Sequence, residues 1–139
     1  MIIVAAENTD SLDDGEVAAL YDSVGWTAYT TDLASLVRAL AGSHRVVTAR
    51  QEGRLAGLAR SVSDGASIVY VQDVLVHPDC QRHGVGRKLV TTLLDLYPGV
   101  RQRVLLTDAE PGQRAFYESL GFTEIHDMRP PLRAFVSFG

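Results

Sequence analysis

Residues 68–97 constrain the fold most strongly: IVYVQDVLV, then HPDCQRH, then GVGRKLVTTLLDLY. The first segment is β-branched with apolar ends. It is expected to be a strand buried on both faces. The third places Val85, Leu89, Val90, Leu93, Leu94 and Tyr97 along one side of a helix that Pro98-Gly99 ends. A strand that runs through a short loop into a glycine-opened helix belongs to a layered α/β structure.

The rest of the chain alternates in the same way. Ile2–Ala6 reads as a strand and Asp14–Val24 as a helix stopped by Gly25. Thr31 or Asp32 caps a helix that runs through Leu33, Leu36, Val37 and Leu40 to Gly42. Arg45–Arg50 and Arg54–Val62 read as strands joined by a hairpin turn at Gln51–Gly53, with a further turn at Ser63–Ala66. Val104–Thr107 reads as a buried strand, and Pro111 opens a helix that runs to Leu120. Phe122–Ile125 and Leu132–Phe138 are expected to complete a β-rich tail. The expected fold is α/β, a mixed sheet with helices packed over it, and residues 1–139 suit one domain.

Charge and cysteine content exclude several classes. A net charge of −4 argues against nucleic acid as a partner. The single cysteine, Cys80, allows no disulfide within the chain. No apolar run approaches a membrane span, and MIIVAAENTD lacks the pattern of a signal peptide. A cytoplasmic protein with no membrane partner is expected.

Gly84 and Gly86 stand at a helix start, with Arg82, Arg87 and Lys88 beside them. Free N–H groups and partial positive charge at a helix N-terminus bind anions, and glycine lets a phosphate approach the backbone closely. The dinucleotide fingerprint fails because Leu89 holds the position of its third glycine. The Walker pattern is absent too. Glycine pairs also open helices that bind nothing, so both readings stand on these residues alone.

The segment Gln81-Arg82-His83-Gly84-Val85-Gly86 resembles the Q/R-x-x-G-x-G/A signature of the GNAT superfamily of acyl-CoA-dependent N-acyltransferases. The preceding Val-Leu-Val-His-Pro resembles that family's strand end. Ala115-Phe116-Tyr117, followed by Gly121-Phe122, is similar to its second signature. The resemblance implies a GNAT-like fold with a mixed, mostly antiparallel central sheet flanked by helices. It also implies acetyl-CoA as co-substrate and acetyl transfer to a primary amine by direct attack in a ternary complex. The cofactor site it implies comprises Gln81, Arg82, His83, Gly84, Val85, Gly86, Arg87 and Lys88 around the pyrophosphate. Val74, Leu75 and Val76 would lie along the pantetheine arm, with Phe116 nearby. A bulge in that strand is implied to open the slot. Glu110 departs from the family, which often has an asparagine there.

Such a reaction needs a neutral amine and a proton for the leaving thiolate. A lysine-like amine, with a pKa of about 10.4, is mostly charged near neutrality. By resemblance Tyr117 is the acid; the alternative is an aromatic core residue. Asp73, the only acid in its strand, is either the base, acting through water, or a carboxylate that pairs with an arginine or a backbone N–H. His77 is a rival base or a residue that orders the loop. Trp26 and Tyr29 are expected to frame the acceptor, with packing of the helix pair as the alternative. Asp10, Asp13, Asp14, Glu16, Asp22 and Asp32 crowd the same region, either to attract a cationic amine or as a solvated helical face.

His77, Cys80 and His83 have metal-like spacing but lack a fourth ligand in sequence, and no metal is expected. The acceptor is expected to be a small molecule or a peptide amine. A catalytically inactive acyl-CoA-binding sensor or partner module is the alternative function. Phe135, Val136 and Phe138, turned outward by Pro130-Pro131, are expected to pair across a homodimer.

Overall fold

Glu52 and Gly53 both take positive φ, 52° and 81°. That is the type I′ combination, whose twist matches the strands of a tight hairpin. The turn joins β2 (Arg45–Gln51) to β3 (Arg54–Ser63) in antiparallel register. A second turn is closed by Asp64, whose Oδ1 accepts the N–H groups of Ala66, Ser67 and Ile68 at 2.9, 2.8 and 3.2 Å. It leads into β4 (Ile68–Val76). In this computed structural model, which describes residues 1–139, the sheet is completed by β1 (Ile2–Glu7) and β5 (Gln102–Leu105). The strand order is β1-β2-β3-β4-β5, antiparallel except for the parallel β4–β5 pair. This is the expected class: a mixed, mostly antiparallel sheet flanked by helices.

Helix starts follow the caps in the sequence. Asp13 accepts Glu16 N–H at 2.9 Å and opens α1 (Asp14–Ser23). A four-residue helix, α2 (Thr27–Thr30), follows and was not expected. Asp32 accepts Ser35 N–H at 3.1 Å and opens α3 (Leu33–Ala41). Val17, Leu20 and Tyr21 of α1 and Leu36 and Leu40 of α3 pack with Val46, Leu58 and Leu75 of the sheet. Each fully buried leucine contributes about 1.5–3 kcal/mol. The helix α4 (Val85–Asp95) packs over β1 to β4. All six apolar positions expected to face inward, Val85 through Tyr97, are buried. Gly57 alternates with Leu58 and faces α4. A Cβ there would lie 3.1 Å from both Leu89 Cδ1 and Leu75 O, so the missing side chain sets how closely the helix approaches.

The chain divides into two compact units, Met1–Leu106 and Thr107–Gly139. The second contains α5 (Pro111–Ser119), with proline in its first turn and Gly121 beyond its end at φ 93°. Arg114 joins this unit together through Glu118 at 3.1 Å, Glu124 at 2.6 Å and Asp127 at 2.5 Å.

Three expectations are corrected. First, β4 is not buried on both faces. Val69, Val71, Asp73 and Leu75 are buried, whereas Ile68 and Gln72 are exposed. Second, β5 is a half-exposed edge strand, because only β4 pairs with it. Third, neither Phe122–Ile125 nor Leu132–Phe138 is a strand. A 3-10 turn occupies Ile125–Asp127, and the segment beyond it has no regular structure. An alternating pattern makes a strand only where a neighbouring edge takes its hydrogen bonds, and no strand of this sheet does so.

Candidate functional site

The parallel β4–β5 ladder runs only from Ile68–Gln102 to Val71–Leu105. On its other side β4 stays paired with β3 as far as Val76, which faces Gly57. From Gln72 to Val76, one row of β4 main-chain groups therefore meets no strand. The change coincides with a bulge. Arg60 faces Asp73 and Ser61 faces Val71, which leaves Gln72 as the extra residue. A bulge bends and twists its strand. Val74, Leu75 and Val76 thus form an open edge that an extended ligand can pair with.

The open edge ends at the glycine loop. His77 Nδ1 accepts Asp79 N–H at 3.1 Å and caps the 3-10 turn Pro78–Cys80, so this histidine orders the loop. The Gln81 side-chain amide donates to Val76 O at 2.9 Å and ties the loop to the strand end. Arg82 and Gly84 take positive φ, 66° and 75°. A Cβ at Gly84 would meet nothing within 4 Å, so backbone conformation, not crowding, favours glycine there. The first main-chain bond of α4 runs from Lys88 N to Gly84 O at 3.1 Å. The N–H groups of Val85 and Gly86, ahead of it, are the free donors of a helix N-terminus. The side chain of Val85 is buried, leaving only its backbone for a ligand, while Arg82, His83, Arg87 and Lys88 are exposed. Such a loop, at the end of an open strand edge, has the geometry to accept an anion.

Asp73 takes the arginine-pairing role that the sequence left open. It is 4% exposed. Arg60 Nε donates to its Oδ2 at 2.7 Å, Tyr21 donates to the same oxygen at 2.9 Å, and Tyr29 donates to Oδ1 at 2.9 Å. Burial lowers the Arg60 pKa, but the hydrogen bond and charge of Asp73 outweigh it and leave the guanidinium above its ordinary value. Burial first, then the Asp73 charge, push the Tyr21 phenol well up. A carboxylate with three donors and almost no solvent contact is poorly placed to take a proton from water.

Trp26 and Tyr29 do come together. Their ring centroids are 6.4 Å apart, and both pack edge-on to Tyr21, at 6.0 and 5.0 Å. Trp26 remains 36% exposed. Gln72 Nε2, on the bulge, donates to the Tyr29 hydroxyl at 3.3 Å. The aromatic group therefore lies beside the bulged strand. Several of the acids expected nearby serve the fold. Asp13 and Asp32 are caps, Glu16 accepts Leu55 N–H at 2.9 Å, and Asp22 accepts the Thr30 hydroxyl at 2.5 Å.

Cys80 is buried and its Sγ lies 3.4 Å from Gln51 Oε1. No three or more His, Cys, Asp or Glu residues are grouped to hold a metal ion.

In the second unit Tyr117 is half-buried, edge-on to Phe116 at 4.9 Å and to Phe122 at 5.9 Å. Burial and the negative charge of Asp108 raise its pKa. Its hydroxyl has no hydrogen-bond partner in the protein. Glu110 is the N-cap of α5, but its side chain makes no capping bond. Its N–H donates to Asp108 Oδ1 at 3.1 Å.

Arg60 and Tyr21 were not singled out in the sequence. Arg60 has the same strand parity as core residue Leu58, and Tyr21 lies on the apolar stripe of α1. Together with a lone acid in an apolar strand, an inward arginine is the signal that was available.

Residues 42–124 match the family described as Acetyltransferase (GNAT) domain. An uncharacterized N-acetyltransferase, ycf52, from Porphyra purpurea is 31% identical over 128 residues, which cover 89% of this chain and 72% of the relative. The L-amino acid N-acyltransferase MnaT of Escherichia coli is 32% identical over 118 residues, covering 76% of this chain and 67% of MnaT. The solved structure of a GNAT family acetyltransferase, SP0256 from Streptococcus pneumoniae, superposes with a TM-score of 0.84 at 28% identity, covering 100% of this chain and 98% of that one.

Proposed function

The chain belongs to the GNAT acetyltransferase family, and from that premise we propose that it moves an acetyl group from acetyl-CoA to a primary amine by direct attack in a ternary complex. The observation that carries this reading is the open edge of β4, Gln72–Val76, running into the positive-φ glycine that starts α4. Under this reading the pantetheine arm pairs with Val74, Leu75 and Val76. The pyrophosphate takes the N–H groups at the start of α4, and Arg82, Arg87 and Lys88 supply positive charge around it, with the exposed His83 beside them. Phe116 lies against the cofactor, as the family motif implies.

Tyr117 is the proposed acid. A phenol with a raised pKa and an unengaged hydroxyl keeps its proton at neutral pH and gives it to the departing thiolate. Asp73 is given a positioning role in place of the base: it holds Tyr21 and Tyr29, and water carries the amine proton away. Trp26 and Tyr29 are proposed to frame the acceptor, with the exposed indole face offered to its carbon chain or ammonium. The proposed acceptor is the amine of a small molecule or a peptide, and the relative MnaT makes L-amino acids the first class to try.

Calorimetric titration with acetyl-CoA tests the donor. Wild type is expected to bind. Gly84→Glu adds a side chain to a left-handed position, about 1–2 kcal/mol of strain, and a negative charge at the anion seat. It is expected to lose at least about tenfold in affinity with an unchanged far-UV spectrum. A wild type that does not bind acetyl-CoA would overturn the proposal.

A further inference from the structure

Of the 13 basic residues in the chain, 12 are arginine, and the remaining one is Lys88. Lys88 sits in the first turn of α4, where its N–H donates to Gly84 O at 3.1 Å. Residues four apart are neighbours on a helix surface. Helical side chains lean toward the N-terminus, so the Lys88 stem extends over the turn that holds Gly84. The space there is open: a Cβ at Gly84 would meet nothing within 4 Å. Val85 and Leu89 are buried and fix the helix beneath. Lys88 itself is exposed. Its ammonium forms no ion pair or hydrogen bond within the chain, and only its backbone carbonyl is engaged, by the Thr91 hydroxyl.

Arginine is the better phosphate ligand. Its planar fork binds two oxygens at once, whereas lysine offers a point charge. Lysine differs in one other respect. A guanidinium keeps its charge, but a lysine amine is a nucleophile that accepts acyl groups and loses its charge in doing so. The chain thus places its single lysine amine one turn into the helix whose start is proposed above to hold a pyrophosphate.

We propose, on the acetyl-CoA reading of this loop, that Lys88 is a modification site for acyl phosphates, small anionic acyl donors, and that its acylation weakens the hold on acetyl-CoA. In the empty site, the free N–H groups of Val85 and Gly86 take the donor's phosphate. That holds the donor about 5.4 Å, one helical turn, from the Lys88 backbone, within the span of its four-carbon stem. Neutral Nζ attacks the acyl carbonyl. An amide C–N bond forms and the C–O bond to phosphate breaks. Inorganic phosphate leaves with the electron pair, and the amine proton passes to water. Residue 88 is then uncharged, while Arg82 and Arg87 keep their charge. Bound coenzyme A covers the same N–H groups and blocks the reaction, so the modification reaches only enzyme without cofactor.

The test is to incubate wild type with acetyl phosphate, with and without saturating coenzyme A, and to map acetyl groups by peptide mass spectrometry. Acetylation is expected at Lys88, faster than at the same lysine in an unstructured peptide of residues 82–92, and suppressed by coenzyme A. By calorimetry, the treated protein is expected to bind acetyl-CoA roughly fivefold more weakly, the effect of one exposed charge pair. Lys88→Arg is expected to bind it equally before and after treatment, which excludes damage elsewhere. An unmodified Lys88, a rate no faster than the peptide's, no protection by coenzyme A, or an affinity unchanged by the modification would each overturn the proposal. Untreated wild type separates the two readings. Where it binds acetyl-CoA, those failures fall on the Lys88 proposal alone. Where it does not, the donor reading fails, and the Lys88 proposal with it.

Discussion

Arg60 Nε donates to Asp73 Oδ2 at 2.7 Å at the bulge in the β3–β4 ladder, with both side chains under 10% exposed. The pair anchors two tyrosines from two helices to the strand that opens the site. Removing one partner leaves an uncompensated buried charge. Arg60→Met is therefore expected to lower stability by about 3–5 kcal/mol, measured by urea unfolding. Adding Asp73→Leu to Arg60→Met is expected to restore only part of that loss, because no charge is then left unpaired but the Tyr21 and Tyr29 hydroxyls lose their acceptor. A single variant as stable as wild type would mean that water already solvates the pair.

Tyr21 ties stability to alkaline pH. Its folded pKa lies above its unfolded value, so the phenol's contribution is complete below the unfolded pKa, about 10. It is lost as pH rises beyond that toward the folded value. The melting temperature of wild type is expected to fall above about pH 10. Tyr21→Phe is expected to cost about 1.5–3 kcal/mol at neutral pH through the lost bond to a charged acceptor, and its alkaline decline is expected to be shallower. Parallel slopes for the two proteins would remove Tyr21 as the source.

Tyr117→Phe separates acid catalysis from binding. Loss of a positioned proton donor is expected to lower kcat by roughly 10²–10⁴-fold and leave acetyl-CoA affinity unchanged by calorimetry. Because burial and Asp108 raise this phenol's pKa, the basic limb of the wild-type kcat profile is expected above the ordinary phenol value. Unaltered kcat would make Tyr117 a packing residue.

Glu52 is strained by its turn. It is a non-glycine residue at φ 52°, at the first centre of a type I′ hairpin. Asparagine tolerates that conformation better. Glu52→Asn is expected to stabilise the protein by about 0.5–1 kcal/mol, read as a higher melting temperature with acetyl-CoA affinity unchanged.

Elements whose signals are local were legible in the residues alone. Period-two and helical patterns located β1 to β4 and α1, α3, α4 and α5, because each is dictated by neighbours within a few residues. Asp13, Asp32 and Gly121 marked helix ends for the same reason. The run Gln81–Gly86 marked the glycine-opened start of α4, since positive φ and free N–H groups are properties of a short segment. Tertiary structure decided what depends on distant partners. Nothing local to Asp73 says whether it meets water or Arg60, because the guanidinium arrives from the next strand and the two phenols from 52 and 44 residues away. The tail fails in the same way in reverse. Leu132–Phe138 has the pattern of a strand, but a strand exists only when another edge accepts its hydrogen bonds, and no strand of the sheet pairs with it.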